Sequence, residues 1–317
     1  MVAPAGHWTI STTAVPTQQS QFNLATGMGH GGHAEGDFIR NIEVIRGSAF
    51  GDTMIGNDGD NKLYGNEGND TLKGGGGEDH LIGSEGNDIL QGGDGDDLIE
   101  GREGADQIDG GAGQDTMVLY SFEDVPGGVT VDLAAGTASG GAVDPGDTFR
   151  NIEGVNATQY NDFLYGDEND NIFTGYEGGD IIDGKGGSDT VVYNGAWIGG
   201  DGSGYGVGVS VDLAASRVSG AAASYDRITS IENAIGSVYR DALGGSDVSN
   251  YLSGRGGNDS LSGEGGDDVL GYKKDNWGID LNVTNLFDKD YASGCQGLLV
   301  CSYGEGRKAL LKAHVTW

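Results

Sequence analysis

Proline and basic residues are scarce in this chain of 317 residues. It contains 4 Pro, and its 17 Lys plus Arg face 49 Asp plus Glu, giving a formal net charge of −32. Scarce proline and the lack of a strict three-residue glycine period exclude a collagen-like triple helix. The excess of acid would repel a phosphate backbone, so we expect no nucleic-acid partner.

Long apolar segments are also missing. No run of 18 or more apolar residues occurs, so the sequence predicts no transmembrane helix. The first 20 residues have neither a basic start nor an apolar stretch of the length found in Sec-type signal peptides. We therefore expect that the protein either stays inside the cell or is exported through a different signal.

Glycine and acid are abundant, but only in one part of the chain. Residues 1–271 hold 58 of the 63 Gly, with 44 acidic and 11 basic residues. Residues 272–317 hold 5 acidic and 6 basic residues and both cysteines. The composition changes near residue 271, so the two parts are interpreted separately. The acidity of the first part favours a cationic partner such as a metal ion.

A nine-residue repeat organises the acidic part. Sixteen copies fill residues 47–118, 157–192 and 236–271 without gaps inside each block. Position one is Gly in fifteen copies, position six is Asp in thirteen and Asn in three, and position eight is apolar in all sixteen. Such regularity is far more specific than any single short motif.

The period itself indicates the structure. Nine residues suffice for a glycine-rich turn of about six residues and a strand of about three, with one apolar side chain pointing inward. Coils stacked at the strand spacing of about 4.8 Å would place the position-six carboxylates in a column. A column of like charge requires a cation, and carboxylate and carbonyl oxygens in this number suit Ca²⁺.

These units resemble the calcium-binding nonapeptide repeats of RTX proteins, with the pattern GGxGxDxUx. The resemblance implies a parallel β-roll with two short strands per coil, successive turns on opposite sides, and Ca²⁺ between turns n and n+2. The predicted fold class is therefore all-β: a parallel β-roll, or β-solenoid, of calcium-binding repeats in three modules with a C-terminal β-hairpin.

The copies differ in a way that separates two kinds of turn. The first two of each block carry an aromatic residue at position four or Asn at position six, and we interpret these six as cap turns. The other ten have Gly at position four and Asp at position six, and we interpret them as metal turns. The predicted calcium ligands are Asp70, Asp79, Asp88, Asp97, Asp106, Asp115, Asp180, Asp189, Asp259 and Asp268. The alternative is that these residues only form turns, since Asp and Gly dominate turns in general.

A second repeat links the blocks. The segments 22–27, 129–140 and 209–220 resemble one another, and each leads to a further match at 36–43, 146–153 or 225–232. Alternating apolar residues predict strands in these linking segments, and Phe149, Ile152 and Val155 are expected to continue the apolar stack. The predicted division is an N-terminal segment 1–21, three modules at 22–118, 119–192 and 193–271, and a tail at 272–317.

No catalytic pattern is evident, and the chain is not predicted to be an enzyme. It lacks a GxSxG nucleophile elbow and an HExxH metalloprotease motif. His30 and His33 lie close to Glu35 and Asp37, but a glycine-rich loop is a better interpretation than a transition-metal site. Glu43, Glu153 and Glu232 occupy one repeat position and do not form an acid–base pair.

The last 46 residues have a different character. Alternation in 279–284 and 308–317 has the two-residue period of outer-membrane strands. The segment NLFDKDY at 285–291, the pair Cys295 and Cys301, and an aromatic final residue resemble the C-terminal hairpin of TonB-dependent siderophore receptors. The complete barrel and plug of that family are missing, so a gene fusion near Gly271 is the simplest explanation. The cysteines either form a disulfide or remain free thiols.

The sequence as a whole predicts a calcium-binding, secreted bacterial β-roll that folds on binding Ca²⁺ and serves a structural or carrier role. Its expected partners are several calcium ions. The expected location is extracellular or the bacterial cell surface, with association through the tail. The alternative is a remnant of an outer-membrane TonB-dependent receptor fused to RTX repeats.

Overall fold

Strands make up all the regular structure of the described residues. The computed structural model describes residues 9–11, 19–31, 35–38, 40–119, 127–141, 146–193, 208–220, 225–274, 277–284 and 308–315. Thirty strands and no helices occur in these ranges, which confirms the all-β class. Across this part of the chain we find no helix with the length and apolar character that a membrane crossing requires.

The chain divides into two compact units, Met1–Thr158 and Gln159–Trp317. This boundary does not coincide with those of the three modules, whose division stays a prediction. The strands of the first unit are β1 (Thr9–Ser11), β2 (Gln21–Asn23), β3 (Met28–His30), β4 (Val44–Arg46), β5 (Thr53–Ile55), β6 (Lys62–Glu67), β7 (Thr71–Gly76), β8 (His80–Glu85), β9 (Ile89–Asp94), β10 (Leu98–Glu103), β11 (Gln107–Ala112), β12 (Thr116–Val118), β13 (Val129–Asp132), β14 (Thr137–Gly140), β15 (Thr148–Arg150) and β16 (Gly154–Asn156).

Two sheets face each other in the first unit. One has the order β1-β4-β6-β8-β10-β12-β16, and the other has the order β13-β14-β15-β11-β9-β7-β5-β2-β3. Through the nonapeptide array, successive strands alternate between the two sheets, and each strand pairs in parallel with the strand two turns away. This is the parallel β-roll that the nine-residue period predicts.

The second unit repeats this arrangement. Its strands are β17 (Phe163–Tyr165), β18 (Ile172–Thr174), β19 (Ile181–Asp183), β20 (Thr190–Val192), β21 (Val209–Asp212), β22 (Arg217–Gly220), β23 (Arg227–Thr229), β24 (Asn233–Ile235), β25 (Ala242–Ser246), β26 (Tyr251–Ser253), β27 (Ser260–Glu264), β28 (Asp267–Lys274), β29 (Trp277–Thr284) and β30 (Lys308–Val315). One sheet has the order β18-β20-β24-β26-β28-β29-β30, and the other has the order β27-β25-β21-β22-β23-β19-β17.

The core is a set of columns of position-eight side chains. Leu63 lies in register with Leu81, and Leu81 with Ile99, at intervals of 18 residues in one sheet. All three side chains have 0% exposure. Each coil thus buries one apolar side chain per sheet directly above that of the neighbouring coil, so the interior is a narrow apolar row between two sheets.

The strands of the first array are longer than the three residues expected. Strands β6 to β11 each contain six residues and extend into the glycines at the start of the following turn. The parallel register continues there, for example between Gly75 and Gly93. Because every coil repeats the same backbone conformation, neighbouring coils keep their hydrogen bonds beyond the apolar residue, and glycine at position one does not end the strand.

The linking segments form strands, as predicted, and they begin with antiparallel hairpins. These hairpins are β2–β3, β13–β14 and β21–β22. Phe149 then pairs with Ile108, and Val155 with Met117. Phe149, Ile152 and Val155 are all buried, which confirms that the linking segment continues the apolar stack.

The tail adds an antiparallel pair of strands to the end of one sheet. Strand β29 pairs with β28, the last strand of the third array, over eight residue pairs, and β30 pairs with β29. The predicted hairpin is therefore present as backbone pairing, and it covers the edge that β28 would otherwise expose. Cys295 and Cys301 lie outside the described residues.

We predict that two adjacent residues of β9 respond very differently to truncation. Leu90 is fully buried between Leu72 and Ile108, whereas Ile89 is 39% exposed. Leu90→Ala should lower the free energy of unfolding by about 2–5 kcal/mol, because it leaves a cavity in the apolar column. Ile89→Ala should cost about 0.5 kcal/mol or less. Urea unfolding in saturating calcium measures both, and equal losses would contradict the columnar core.

Candidate metal sites

The position-six aspartates point into the interior because of their spacing from the apolar residue. Side chains alternate along an extended strand, so positions six and eight share a face. Asp88 and Leu90, for example, are both buried. Nine of the ten predicted ligands are buried and Asp259 is half-buried. Each buried carboxylate thus lies at the edge of the apolar column.

Each carboxylate is fixed by the coil two turns away. The backbone N–H of Asp70 donates to Oδ1 of Asp88 at 2.8 Å, and that of Asp88 donates to Oδ1 of Asp106 at 2.8 Å. The same contact recurs throughout the arrays and reaches Asp70, Asp79, Asp97, Asp115, Asp180, Asp189, Asp259 and Asp268. Coils two turns apart are therefore joined by carboxylate contacts as well as by strand pairing.

The second carboxylate oxygen is left without a partner in most of these turns. Oδ2 is buried and accepts no hydrogen bond from any residue in the described ranges in Asp70, Asp79, Asp88, Asp97, Asp115, Asp180, Asp189 and Asp259. A buried acceptor without a donor carries a desolvation penalty of about 1–3 kcal/mol, and more if it is charged. Eight such atoms in a regular row point to a missing positive partner.

Main-chain oxygens lie beside these unpartnered atoms. A Cβ placed on Gly65 would contact both Oδ2 of Asp70 and the carbonyl oxygen of Gly83, and a Cβ on Gly74 would contact Oδ2 of Asp79 and the carbonyl of Gly92. Position one must therefore be Gly, because a side chain there would fill the space between carboxylate and carbonyl. The space is lined by hard oxygen donors, which is the donor set that Ca²⁺ prefers.

Side chains alone do not complete these sites. Among the described residues, no group of three or more His, Cys, Asp or Glu side chains is placed to hold a metal ion. Transition metals select imidazole and thiolate ligands, whereas Ca²⁺ accepts many carbonyl oxygens. The arrangement of one carboxylate oxygen with main-chain carbonyls fits calcium and does not fit zinc.

Burial raises the pKa values of the column. Loss of solvation is the main cause, and it raises the pKa of Asp70 to about 8 and that of Asp189 to about 7. The pKa of Asp180 rises to about 9, first through burial and then through the nearby charge of Asp226. The pKa rises to about 6 for Asp79, Asp88, Asp97, Asp115 and Asp268. Without a cation, burial therefore disfavours the charged form relative to an exposed aspartate, and Asp70 and Asp180 keep their protons at neutral pH.

The predicted cap turns satisfy the same side chain locally. In these turns the position-two N–H donates to the position-six side chain of its own turn, as from Asn57 to Asn61 at 2.8 Å and from Ser237 to Asp241 at 2.7 Å. The same contact joins Ser48 to Asp52, Asp167 to Asn171, and Ser246 to Asn250. Here a backbone donor occupies the oxygen that is left unpartnered in most of the other turns.

The backbone conformation separates the two kinds of turn. All ten predicted metal turns have positive φ at positions two and four, and no cap turn has positive φ at either position. Position two is not glycine in seven of the ten, for example Ser84 (φ 87°) and Lys185 (φ 71°). A left-handed non-glycine residue costs about 1–2 kcal/mol. Strain repeated at one position indicates a functional requirement.

Two aspartates of the linking segments join the column, and sequence reasoning missed them. Asp106 N–H donates to Oδ1 of Asp147 at 2.9 Å, and Asp180 N–H donates to Oδ1 of Asp226 at 2.9 Å. Asp147 lies two residues before the buried Phe149, and Asp226 lies two residues before the buried Ile228. That Asp-x-apolar spacing was the available signal, and it was obscured because the linking segments do not keep the nine-residue frame.

The other candidates do not assemble into a site. His30 ends β3, and His33 lies outside the described residues, as do Cys295 and Cys301. Oε2 of Glu43 is buried without a partner, whereas Oε2 of Glu153 and that of Glu232 each accept a backbone N–H. Each of the last two glutamates thus holds the end of a nonapeptide array and not a second glutamate.

Comparison with known proteins agrees with this geometry. Four segments match the RTX calcium-binding nonapeptide repeat: residues 46–81, 82–117, 156–191 and 244–274. The matched segments of the nonapeptide arrays are therefore RTX repeats. Repeats of this kind bind several calcium ions per array. A search of curated proteins finds no match to the chain. The matched segments end at residue 274, so the resemblance of the tail to TonB-dependent receptors has no support from these comparisons.

We predict that neighbouring aspartates differ in their effect on calcium binding. Asp97 is buried, and its Oδ1 accepts the N–H of Asp79 at 2.8 Å. Asp96 is exposed, and its Oδ1 accepts the N–H of Gln114 at 2.8 Å. Asp97→Asn keeps the accepting oxygen but removes the charge, so it should lower the number of bound ions and raise the calcium concentration needed for folding. Asp96→Asn should change neither.

Calorimetric titration with calcium measures both variants. Equal effects in Asp97→Asn and Asp96→Asn would mean that calcium responds to overall acidity, and the buried column would then not be the binding site.

The raised pKa values predict that acid stabilises the metal-free fold. Below about pH 4, the ordinary range for Asp, the carboxyls are protonated in both states, so no penalty arises. Between about pH 4 and 9 the unfolded chain ionises before the folded column, so the metal-free fold loses stability as pH rises. In calcium the pH dependence is reversed: the fold gains stability as pH rises, because protons compete with the ion for the same oxygens.

The β-sheet signal in chelator at pH 5.5 and 8.0, measured by circular dichroism, and calcium titrations at both pH values test this linkage. We expect a larger metal-free folded fraction and a weaker calcium response at pH 5.5. A metal-free folded fraction that rises with pH would contradict the prediction.

Proposed function

We propose that this chain is a structural calcium-binding β-roll that folds outside the cell when calcium fills its turns. The observation that carries the proposal is the row of buried, unpartnered Oδ2 atoms, each beside a glycine that leaves room for an ion. The predicted ligands are the ten position-six aspartates, from Asp70 to Asp268. The match to RTX repeats supports calcium as the ion.

The energetics favour coupled binding and folding. Most coils bury one or two apolar side chains per sheet, and the described column brings carboxylates together with raised pKa values. Binding to the folded state alone converts binding energy into stability. At a dissociation constant of about 0.1–1 mM, 5 mM calcium adds about 1–2 kcal/mol per site. Several sites per array would then determine whether the chain folds.

The proposed location follows from this affinity range. Calcium modules that bind at about 0.1–1 mM belong to the extracellular environment. We propose that the chain stays unfolded in a cytosol and folds after export, and that it acts through its folded surface and not through catalysis. Association with a cell surface or outer membrane through residues 272–317 stays a prediction, and the comparisons lend it no support.

We predict that calcium, and not magnesium, drives folding of the full chain. Circular dichroism and thermal melting in chelator, in 5 mM Ca²⁺ and in 5 mM Mg²⁺ measure this. Calcium should produce the β-sheet signal and raise the melting temperature. Magnesium is the matched control, because it supplies the same charge but prefers an octahedral shell and releases water reluctantly.

An equal response to both ions would indicate simple charge screening. Full β-sheet signal in chelator with an unchanged melting temperature would overturn the proposal.

A further inference from the structure

Two glutamates lie where the nonapeptide arrays pass into linking segments. Glu153 and Glu232 close the motifs at 146–153 and 225–232. The N–H of Asp115 donates to Oε2 of Glu153 at 3.0 Å, and the N–H of Asp189 donates to Oε2 of Glu232 at 2.9 Å. Inside the arrays, the backbone N–H of a position-six residue donates to the position-six Asp of the coil two turns later. Each glutamate therefore takes the place of the next aspartate in the column.

The backbone hydrogen bonds change at the junction. In a regular coil one N–H, such as that of Leu98, donates to the carbonyl of the aspartate two turns before it, Asp79. At the junction the N–H groups of Glu153 and Gly154 both donate to the carbonyl of Asp115, at 3.0 and 2.8 Å. Two successive N–H groups on one carbonyl form a bulge, which interrupts the regular pattern beside the glutamate.

The second junction has the same bulge. The N–H groups of Glu232 and Asn233 both donate to the carbonyl of Asp189, at 3.1 and 2.9 Å. The strands that follow are in parallel register, Thr116 with Gly154 and Thr190 with Asn233. The two junctions, which belong to the second repeat, thus share one geometry.

The turns that contact the two glutamates hold the same oxygens as the metal turns. Asp115 and Asp189 are fully buried, and the Oδ2 atom of each has no hydrogen-bond partner. A Cβ on Gly110 would contact Oδ2 of Asp115 and the carbonyl of Asn151; a Cβ on Gly184 would contact Oδ2 of Asp189 and the carbonyl of Ser230. These are the same pairs of oxygens found at Gly65 and Gly74.

The residues that supply the carbonyls differ in backbone conformation from their counterparts in the arrays. Asn151 has φ of 52° and Ser230 has φ of 50°, whereas Gly83 and Gly92 do not have positive φ. The placement of the oxygens is nevertheless the same, so a main-chain carbonyl and an unpartnered carboxylate oxygen coincide at both junctions.

We propose that the linking segments extend the calcium column, with Glu153 and Glu232 each supplying a ligand to an ion shared with Asp115 or Asp189. The proposal rests on the proposed calcium-binding function and deepens it, because it assigns ligands outside the nonapeptides. Asp226 is not included, because its Oδ2 accepts a hydrogen bond from the Tyr193 hydroxyl at 3.3 Å. The role of the linking segments is then to carry the metal column beyond the end of an array.

The test compares glutamine variants of the full chain. Glu153→Gln and Glu232→Gln keep an oxygen that can accept the backbone N–H, so a purely structural brace survives, whereas the charged ligand is lost. Equilibrium dialysis with calcium counts bound ions at saturation, and circular dichroism measures folding. Each single variant should bind about one ion fewer than the wild type, and the double variant about two fewer. Glu78→Gln, at an exposed position beside Asp79, is the matched control and should bind the full number.

The outcomes separate the two proposals. A wild-type chain that binds no calcium overturns the proposed function. A wild-type chain that binds several ions, with unchanged counts in Glu153→Gln and Glu232→Gln, overturns only the assignment of the glutamates. If Glu153→Gln does not fold in saturating calcium, Glu153→Asp is measured. Recovery of folding and of the full ion count supports a carboxylate ligand, and failure of Glu153→Asp to fold counts against it.

Discussion

The structure depends on a contact between a backbone N–H and a carboxylate two turns away. Asp70 N–H donates to Asp88, and Asp88 N–H donates to Asp106, so each aspartate uses one oxygen to align a neighbouring coil. The contact places the second oxygen in the interior, where, in Asp88, no donor from the described part of the chain satisfies it. A single side chain thus joins the stacking of the coils to the need for a cation. The apolar columns beside these carboxylates are narrow, since most coils contribute one or two buried side chains per sheet.

Glycine and the left-handed residues make that contact compatible with a metal ion. Position one must lack a Cβ, because at Gly65 a Cβ would contact both Oδ2 of Asp70 and the carbonyl of Gly83. Positions two and four have positive φ in every predicted metal turn, whereas cap turns such as that of Asn61 place an N–H on the side chain. The conformation of a single turn therefore determines whether a backbone N–H or a cation satisfies the position-six side chain. The two kinds of turn differ by a few torsion angles and share one overall path.

Much of the fold could be predicted because one period controls it. Nine residues per turn and one apolar residue per turn determine the alternation between sheets, the parallel register of 18 residues and the buried column that includes Leu63, Leu81 and Ile99. The difference between cap and metal turns was also visible, since it follows from residue types at positions four and six. The predicted strand length of about three residues was wrong for the first array, because hydrogen bonding between identical coils continues through glycines that usually end strands.

Contacts that cross the linking segments could not be predicted in this way. Asp147 lies 41 positions after Asp106, and Glu232 lies 43 positions after Asp189, so no fixed interval connects them. Their place in the column depends on hairpins and bulges whose geometry has no short sequence signature. The hairpin of the tail was predicted from alternation, but its pairing with β28 depends on the free edge of a sheet, which is a property of the assembled roll.

The central claim is that calcium lies at the buried position-six carboxylates, between turns n and n+2. Anomalous diffraction from crystals of the calcium-loaded protein locates the ions directly. We expect peaks within coordination distance of Oδ2 in interior turns such as those of Asp88 and Asp97, with carbonyl oxygens from the coil two turns away among the other ligands. Peaks confined to exposed carboxylates such as Asp96, with none beside the buried column, would contradict the account.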